Sequence, residues 1–426
     1  MSLSYLCARS CPHDHWLGRV VLEFRSRFIG LVLLVTLAGA FLRIDAESYR
    51  VTFDSGSHSR QNSIVSFDCP EGIWNPVLVG NDPVPPVQKG LDGRLHTRLS
   101  GWSAHERRTF KLSNDARSAR VQTGIQVERL GGALQFRQDE TPIVQYQGRP
   151  GSLPSPGIDL SFLRGGYLHP LWSPTGLVVT DDYPVNHLHH HGVWVSWTKT
   201  KFDGREPNFW EMGYKKGTVE FVAMDNYWSG PVFGGVRSRH RYVDLTLASP
   251  VVVLNERWEL KAYAVDKAER PYHMFDLRFV QECATDKPLE LPRYRYGGLG
   301  FRGRHEWDGP KNASFLTGLG ETDRVKGHAT RAPWCHIGGL VDGTFTGAAI
   351  FCDPENFRAP QPMRIHPKEP FFCYAPSQAG DWIIEPGKPY VSNYRFVIFD
   401  GVPEKAFLDQ LWQDFANPVV VTLSQP

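Results

Sequence analysis

Arg257-Trp258-Glu259-Leu260-Lys261-Ala262 alternates charged and apolar side chains without a break. Successive side chains of an extended chain point to opposite faces, so the stretch predicts a strand with one buried and one wet face. Phe275-Asp276-Leu277-Arg278-Phe279 repeats the pattern, as does Tyr394-Arg395-Phe396-Val397-Ile398. One-sided burial favours antiparallel sheets over a parallel α/β core. The expected fold is therefore all-β, a large antiparallel β-sandwich with a short C-terminal helix. That helix follows Pro403, where Phe407, Leu408, Leu411, Trp412 and Phe415 make one apolar stripe suited to core packing.

Outward from these strands, the 426 residues suffice for one large β core or two moderate domains. The net charge is +2 with acids and bases interspersed, which leaves no footprint for nucleic acid. At the N-terminus, Arg19, Arg25 and Arg27 precede an apolar run from Phe28 to Leu37, followed by Ala38-Gly39-Ala40. This pattern predicts a cleaved signal peptide over residues 1–40 and export to the periplasm or the medium. The apolar stretch is shorter than the roughly 20 residues of a bilayer span, and no later segment reaches that length, so no span is expected after cleavage. Cys7 and Cys11 fall in this leader. Cys69, Cys283, Cys335, Cys352 and Cys373 form an odd set without close spacing, and they read as buried free thiols. Pro/Gly-rich breaks fall at residues 69–92 and at Arg149-Pro150-Gly151-Ser152-Leu153-Pro154. The second separates an N-terminal β segment, 47–150, from a main domain, 156–420; the first part is either its own domain or a piece of the same sandwich.

The chemistry concentrates in Asp181-Asp182-Tyr183-Pro184-Val185-Asn186-His187-Leu188-His189-His190-His191-Gly192-Val193-Trp194. If the strand carrying Trp194 extends backwards, His187, His189 and His191 share one face, and His190 lies with Trp194 on the other. Imidazoles so placed can supply an acid and a hydrogen-bond pair for a polar ligand, or ligate a divalent metal. No carboxylate at a firm ligand spacing completes a metal set, so a metal is an alternative and no other cofactor is expected. Asp181 and Asp182 can orient an imidazole. Glu211, in Asn208-Phe209-Trp210-Glu211, is either a general base and sugar-hydroxyl acceptor or a surface carboxylate paired with Lys215. Trp194 and Trp210 offer flat platforms for sugar rings, or else pack in the core. Tyr296 to Gly303 reads as a flexible glycine-rich loop holding Arg302 as a carboxylate or hydroxyl clamp. Asn356 and Arg364 are further candidate substrate contacts on a polar loop, 356–369, whose charges, including Arg358, His366 and Glu369, read singly as solvated. Gly-x-Ser-x-Gly, HExxH and a nucleophilic cysteine signature are missing, so the hydrolase classes built on them are unsupported.

Tyr167-Leu168-His169-Pro170-Leu171, Ser173-Pro174-Thr175-Gly176, the histidine block with Gly192, and Gly298-Leu299-Gly300-Phe301-Arg302 together resemble the PmoA-like family of bacterial proteins. Trp334, the stretch Asn356 to Pro360 and Glu385-Pro386-Gly387 leading to Tyr394-Arg395-Phe396 extend the resemblance over about Gly166 to Gly401. His187, His189 and His190 match that block's recurrent histidines, while Leu188 and His191 depart from its common Pro and Arg. The resemblance implies a galactose mutarotase-like β-supersandwich. The family's label of methane oxygenase does not follow, because such a membrane subunit needs several long apolar spans. The expected function is an exported carbohydrate-active enzyme, an epimerase, glycosidase or lyase. His189 or His190 would serve as acid, Glu211 as base, and Arg302 with the tryptophans would position the sugar. The rivals are a non-catalytic glycan-binding module and a metal-dependent enzyme built on the histidines.

Overall fold

The alternating stretch lies in the strand Val251–Tyr263, where Trp258, Leu260 and Ala262 are buried and Arg257 is exposed. Its buried residues face apolar partners across the ladder: Trp258 opposite Phe279, Leu260 opposite Leu277, Ala262 opposite Phe275. Such cross-strand pairs set the register, because a slip of one residue would turn Arg257 and Glu259 into the core. The computed structural model describes residues 48–81, 83–115, 124–266 and 270–425; the expected leader, with Cys7 and Cys11, lies outside them.

Val251–Tyr263 belongs to an eight-stranded sheet of long strands, ordered Gly217–Trp228, Phe233–Asp244, Val251–Tyr263, Tyr272–Cys283, Tyr390–Asp400, Thr344–Cys352, Trp334–Val341 and Ala313–Thr317. A second eight-stranded sheet of shorter strands runs Met363–Ile365, Phe371–Tyr374, Gly298–Arg302, Val193–Ser196, Tyr167–Leu171, Thr141–Gln147, Ala133–Gln138 and Ile125–Leu130. Every pairing in both is antiparallel. One apolar core joins them, with Phe136, Val193, Val195 and Leu299 from the short-strand sheet against Trp258, Phe275, Ile350 and Phe396 from the long-strand sheet. This is the expected all-β antiparallel sandwich.

The wet outer face holds only in part. Along Tyr390–Asp400, Phe396 and Ile398 face the inter-sheet core, yet Val397 and Phe399 are also fully buried. The helix Lys405–Ala416 covers that outer face with Leu408 and Leu411. Arg395, on the same covered face, is buried against Asp276 through hydrogen bonds of 2.7 and 2.9 Å. The apolar stripe thus packs as the sequence suggests, and the strand beneath it loses its solvent.

The N-terminal segment divides. Residues 125–147 supply three strands of the short-strand sheet, and Gln147 pairs with Tyr167 across the Pro/Gly-rich break at 149–154. Tyr49–Asp54, Arg107–Asn114 and Pro76–Val79 instead form a four-stranded sheet with Val420–Ser424 from the C-terminal end. With the three-stranded sheet of Ser63–Phe67, Leu95–Leu99 and Val87–Lys89, it encloses a separate small core around Phe53, Trp102 and Phe110. Cys69, Cys283, Cys335, Cys352 and Cys373 are free thiols. Among the described residues no helix is long and apolar enough to cross a membrane.

Candidate active site

The strand Val193–Ser196 does not extend back through the histidines. The chain instead makes two turns, closed by the His187 amide donating to the Pro184 carbonyl and the His190 amide to the His187 carbonyl, both at 2.8 Å. Period two is therefore lost, and the grouping of His187, His189 and His191 on one face is replaced by another. The rings of His187 and His190 stack with centroids 4.7 Å apart, and His189 stands edge-on to both at 5.7 and 4.7 Å. His191 points elsewhere. Its Nδ1 donates to Asp182 Oδ1 at 2.7 Å, Tyr167 donates to Asp182 Oδ2 at 2.8 Å, and the His191 ring packs on Tyr167 and Tyr183. Residues 182 and 191 also pair through their backbones, so this buried contact closes the base of the loop that presents the other three imidazoles. Asp182 thus orients His191, not the cluster.

Alternation along the short strands places the site on the sheet's outer face. Val193 and Val195 enter the inter-sheet core, whereas Trp194 turns outward into an aromatic floor with Trp210, Phe371 and Cys373. Trp194 pairs with Gly300 on the neighbouring strand. A Cβ at Gly300 would come within 2.9 Å of Trp210 and 3.0 Å of Trp194, so glycine there is what lets the two indoles close over the strand. Both indoles are almost completely buried, at 0 and 1% exposure. They support His190, which lies 5.0 Å from Trp194 and stacks on Phe371 at 4.8 Å. The expectation of sugar-stacking platforms fails for Trp194 and Trp210, because no ring face is left open.

Gly298–Arg302 is likewise a buried strand and not a flexible loop. Arg302 is fully buried, and both terminal nitrogens are occupied: Nη1 donates to Glu369 at 3.1 Å, and Nη2 to Asp308 at 2.7 Å and to Asn186 at 3.3 Å. Asn186 Nδ2 donates to Glu369 at 2.7 Å, which ties the histidine turn to the loop before Phe371. Arg302 therefore anchors the site through its two terminal nitrogens, and its Nε is buried without a partner. Glu369 and His366 are not simply solvated either: the Glu369 amide donates to His366 Nδ1 at 2.9 Å, and the His366 ring lies 6.4 Å from His187.

Glu211 is fixed on the other side. Tyr296 donates to Oε1 at 2.6 Å and Asn208 to Oε2 at 2.8 Å. The alternative partner Lys215 binds Asp159 instead. Each carboxylate oxygen keeps a lone pair for a further donor. Asn356 is spent on structure, with Nδ2 donating to the Asn393 carbonyl and Oδ1 accepting from the Asn393 amide, so it is not a substrate contact. Arg364 lies beside His328, 3.5 Å from its Nε2.

Burial sets the proton states. His189 is pushed down to about 3, first by desolvation and then by His187, His191 and Arg302. His187 is lowered by burial and Arg302, against the opposing pull of Glu369 and Glu211. His190 is lowered well below the usual imidazole value, first by burial and then by the neighbouring imidazoles and Arg302. These rings are neutral near pH 7, so none carries the extra proton that the expected acid role requires. Asp308 moves the other way, pushed up to about 6 by desolvation and its hydrogen bond with Glu369. Two carboxyls sharing one guanidinium and one proton hold that proton to higher pH than either would alone.

The group legible in the sequence was the histidine turn with Glu211. Asn186, Tyr296, Asp308, His366 and Glu369 complete the site, and they come from separate segments joined by strand pairing. Among the described residues no three His, Cys, Asp or Glu side chains form a metal-holding group. His187 Nδ1 and His190 Nδ1 are buried without a protein partner.

An all-β sandwich with an imidazole turn flanked by carboxylates defines the class of site. The chain belongs to a family of unknown function (DUF6807), whose model matches residues 133–413. Among curated proteins none matches it. Of solved structures, a protein in the glycosyl hydrolase family 38 from Enterococcus faecalis is similar at 8% identity with a TM-score of 0.40, over 88% of this chain and 47% of that one. An alpha-mannosidase from Enterococcus faecalis V583 is similar at 10% identity with a TM-score of 0.38, over 88% of this chain and 46% of that one. The chain thus spans under half the length of either structure.

Proposed function

We propose that the chain is an enzyme performing acid–base chemistry on a saccharide, exported and of the PmoA-like kind that its sequence blocks resemble. The observation that carries this reading is the split of proton states within one site. A carboxyl pair, Asp308 with Glu369, keeps a proton to about pH 6, while His187, His189 and His190 are held neutral beside it. Titratable neighbours pushed in opposite directions divide the roles of acid and base. The carboxyl pair is the acid. Glu211, fixed by Tyr296 and Asn208, takes the hydroxyl proton. The neutral imidazoles, each one donor and one acceptor, suit a ligand dense in hydroxyls.

The test incubates the full chain with a panel of neutral and acidic oligosaccharides, following reducing-end release, epimer formation and double-bond absorbance. Turnover should fall by about 10²–10⁴-fold in Glu211→Gln, and His189→Ala should weaken saccharide binding. Binding without any turnover would replace the enzyme with a glycan-binding module, and no binding at all would sink the saccharide reading.

A further inference from the structure

Next to the histidine site lies a cavity of about 770 Å³ lined in part by Arg293, Tyr294, Arg295, His328 and Arg331. Its size matches a small-ligand pocket and exceeds what one water cluster needs. Two bridges join it to the site. Tyr296, adjacent in sequence to Arg295, donates to Glu211, and Arg364, beside His328, lies two residues before His366, which directly follows the strand Met363–Ile365.

The cavity's charge is one-sided. Arg295 lies over the ring of Tyr296 at 5.4 Å, and Arg331 donates to the carbonyls of Arg358 and Pro360 at 2.7 and 2.8 Å. Arg364 touches an imidazole, and Asp381 accepts from the Arg293 amide, not from its guanidinium. Among the described residues none of these four arginines makes an ion pair. Donors without partners lie at the same place: Arg364 Nε and His328 Nδ1 are both buried with none. Unpaired guanidiniums gathered around one hollow repel each other, and burial together with Arg295 makes Arg364 easier to deprotonate. An oxyanion seated there would relieve that repulsion and accept the free donors. Tyr294, half-buried on the cavity wall, adds an aromatic face that the buried tryptophans cannot supply.

We propose that this arginine-lined cavity is the subsite for an acidic substituent, the oxygens of a carboxylate or sulfate, on the saccharide processed at the histidine turn. The inference rests on the saccharide reading above and narrows it to acidic glycans. The anion clamp expected of Arg302 is taken over by Arg295, Arg331 and Arg364.

Calorimetric titration of the full chain tests it with an oligouronide, a sulfated oligosaccharide and their neutral counterparts, at low and high salt. The acidic ligands should bind at least tenfold tighter than the neutral ones, with the advantage shrinking as salt rises. Arg295→Ala and Arg331→Ala change exposed side chains, with retained folding checked by urea unfolding because Arg331 also holds two loop carbonyls; each should remove most of that advantage and change neutral binding far less. Whether the uronide or the sulfated ligand gains more identifies the oxyanion. Equal affinity for acidic and neutral sugars, or acidic binding untouched by both substitutions, overturns the subsite while leaving the saccharide reading standing. If no saccharide of either kind binds, both fall together.

Discussion

His189 and Asp308 show how burial separates groups that the sequence presents as equivalent polar residues. Desolvation disfavours whichever form is charged, so it lowers the imidazole to about 3 and raises the carboxyl to about 6. If the carboxyl pair is the acid, it must be protonated to act, and kcat/KM should fall as pH rises through about 6. A pH–rate profile checks this: an alkaline limb near 6 is expected, and Asp308→Asn should lower the rate by about 10²–10⁴-fold. A wild-type profile flat from pH 5 to 8 would remove the carboxyl pair from the mechanism. The histidines drew notice because four fall within five residues. Glu369 did not, since 67 residues of chain separate it from Arg302 and 61 from Asp308, which itself lies six residues from Arg302, and only folding brings Glu369 to that pair. Local spacing carries no trace of that meeting.

At the scale of elements, the histidine loop departed from the expected strand for a reason that Pro184-Val185-Asn186 could have supplied. Proline and asparagine favour turns, and two turns in succession break period two before Gly192. The loop is held at its base by Asp182 and His191, which the resemblance alone had set aside from the other histidines. Tyr183 at φ +52° stands just inside that clasp, a conformation that a non-glycine residue keeps only when its surroundings fix it. Asp182→Ala removes the acceptor of both His191 and Tyr167 and should loosen the loop without unfolding the sheet. Hydrogen exchange reads this directly, with faster exchange expected at the Tyr183 and His190 amides and unchanged protection in Val251–Tyr263. Equal exchange in variant and wild type would show that the clasp does not hold the turn. Gly300→Ala acts on the floor below. Its Cβ collides with two indoles, so a loss of about 1–3 kcal/mol is expected in urea unfolding.

For the molecule as a whole, alternation announced the antiparallel sandwich, because period two survives wherever one face of a strand meets the inter-sheet core. It could not announce which outer faces would be covered, since the helix Lys405–Ala416 and the strand it covers are matched only in the folded chain. The same blindness hides His336. It occupies the strand Trp334–Val341, fully buried against Phe399 at 5.3 Å, with neither ring nitrogen partnered. Burial alone pushes it down to about 3, and His273, also buried, goes down to about 4. In the unfolded chain an imidazole titrates at about 6.5. Between that value and the folded one, the unfolded state takes up a proton that the folded state refuses, so stability is full above pH 6.5 and is lost as pH falls. For His336 the loss at pH 5 is about 2 kcal/mol, and the other buried imidazoles act in the same direction. His336→Phe removes the titrating group and its unpaired nitrogens together. Urea unfolding at pH 7 and pH 5 should find the variant at least as stable as wild type at pH 7 and about 2 kcal/mol less sensitive to the drop. The same pH sensitivity in both proteins would mean that this core imidazole is already charged, or already partnered, at neutral pH.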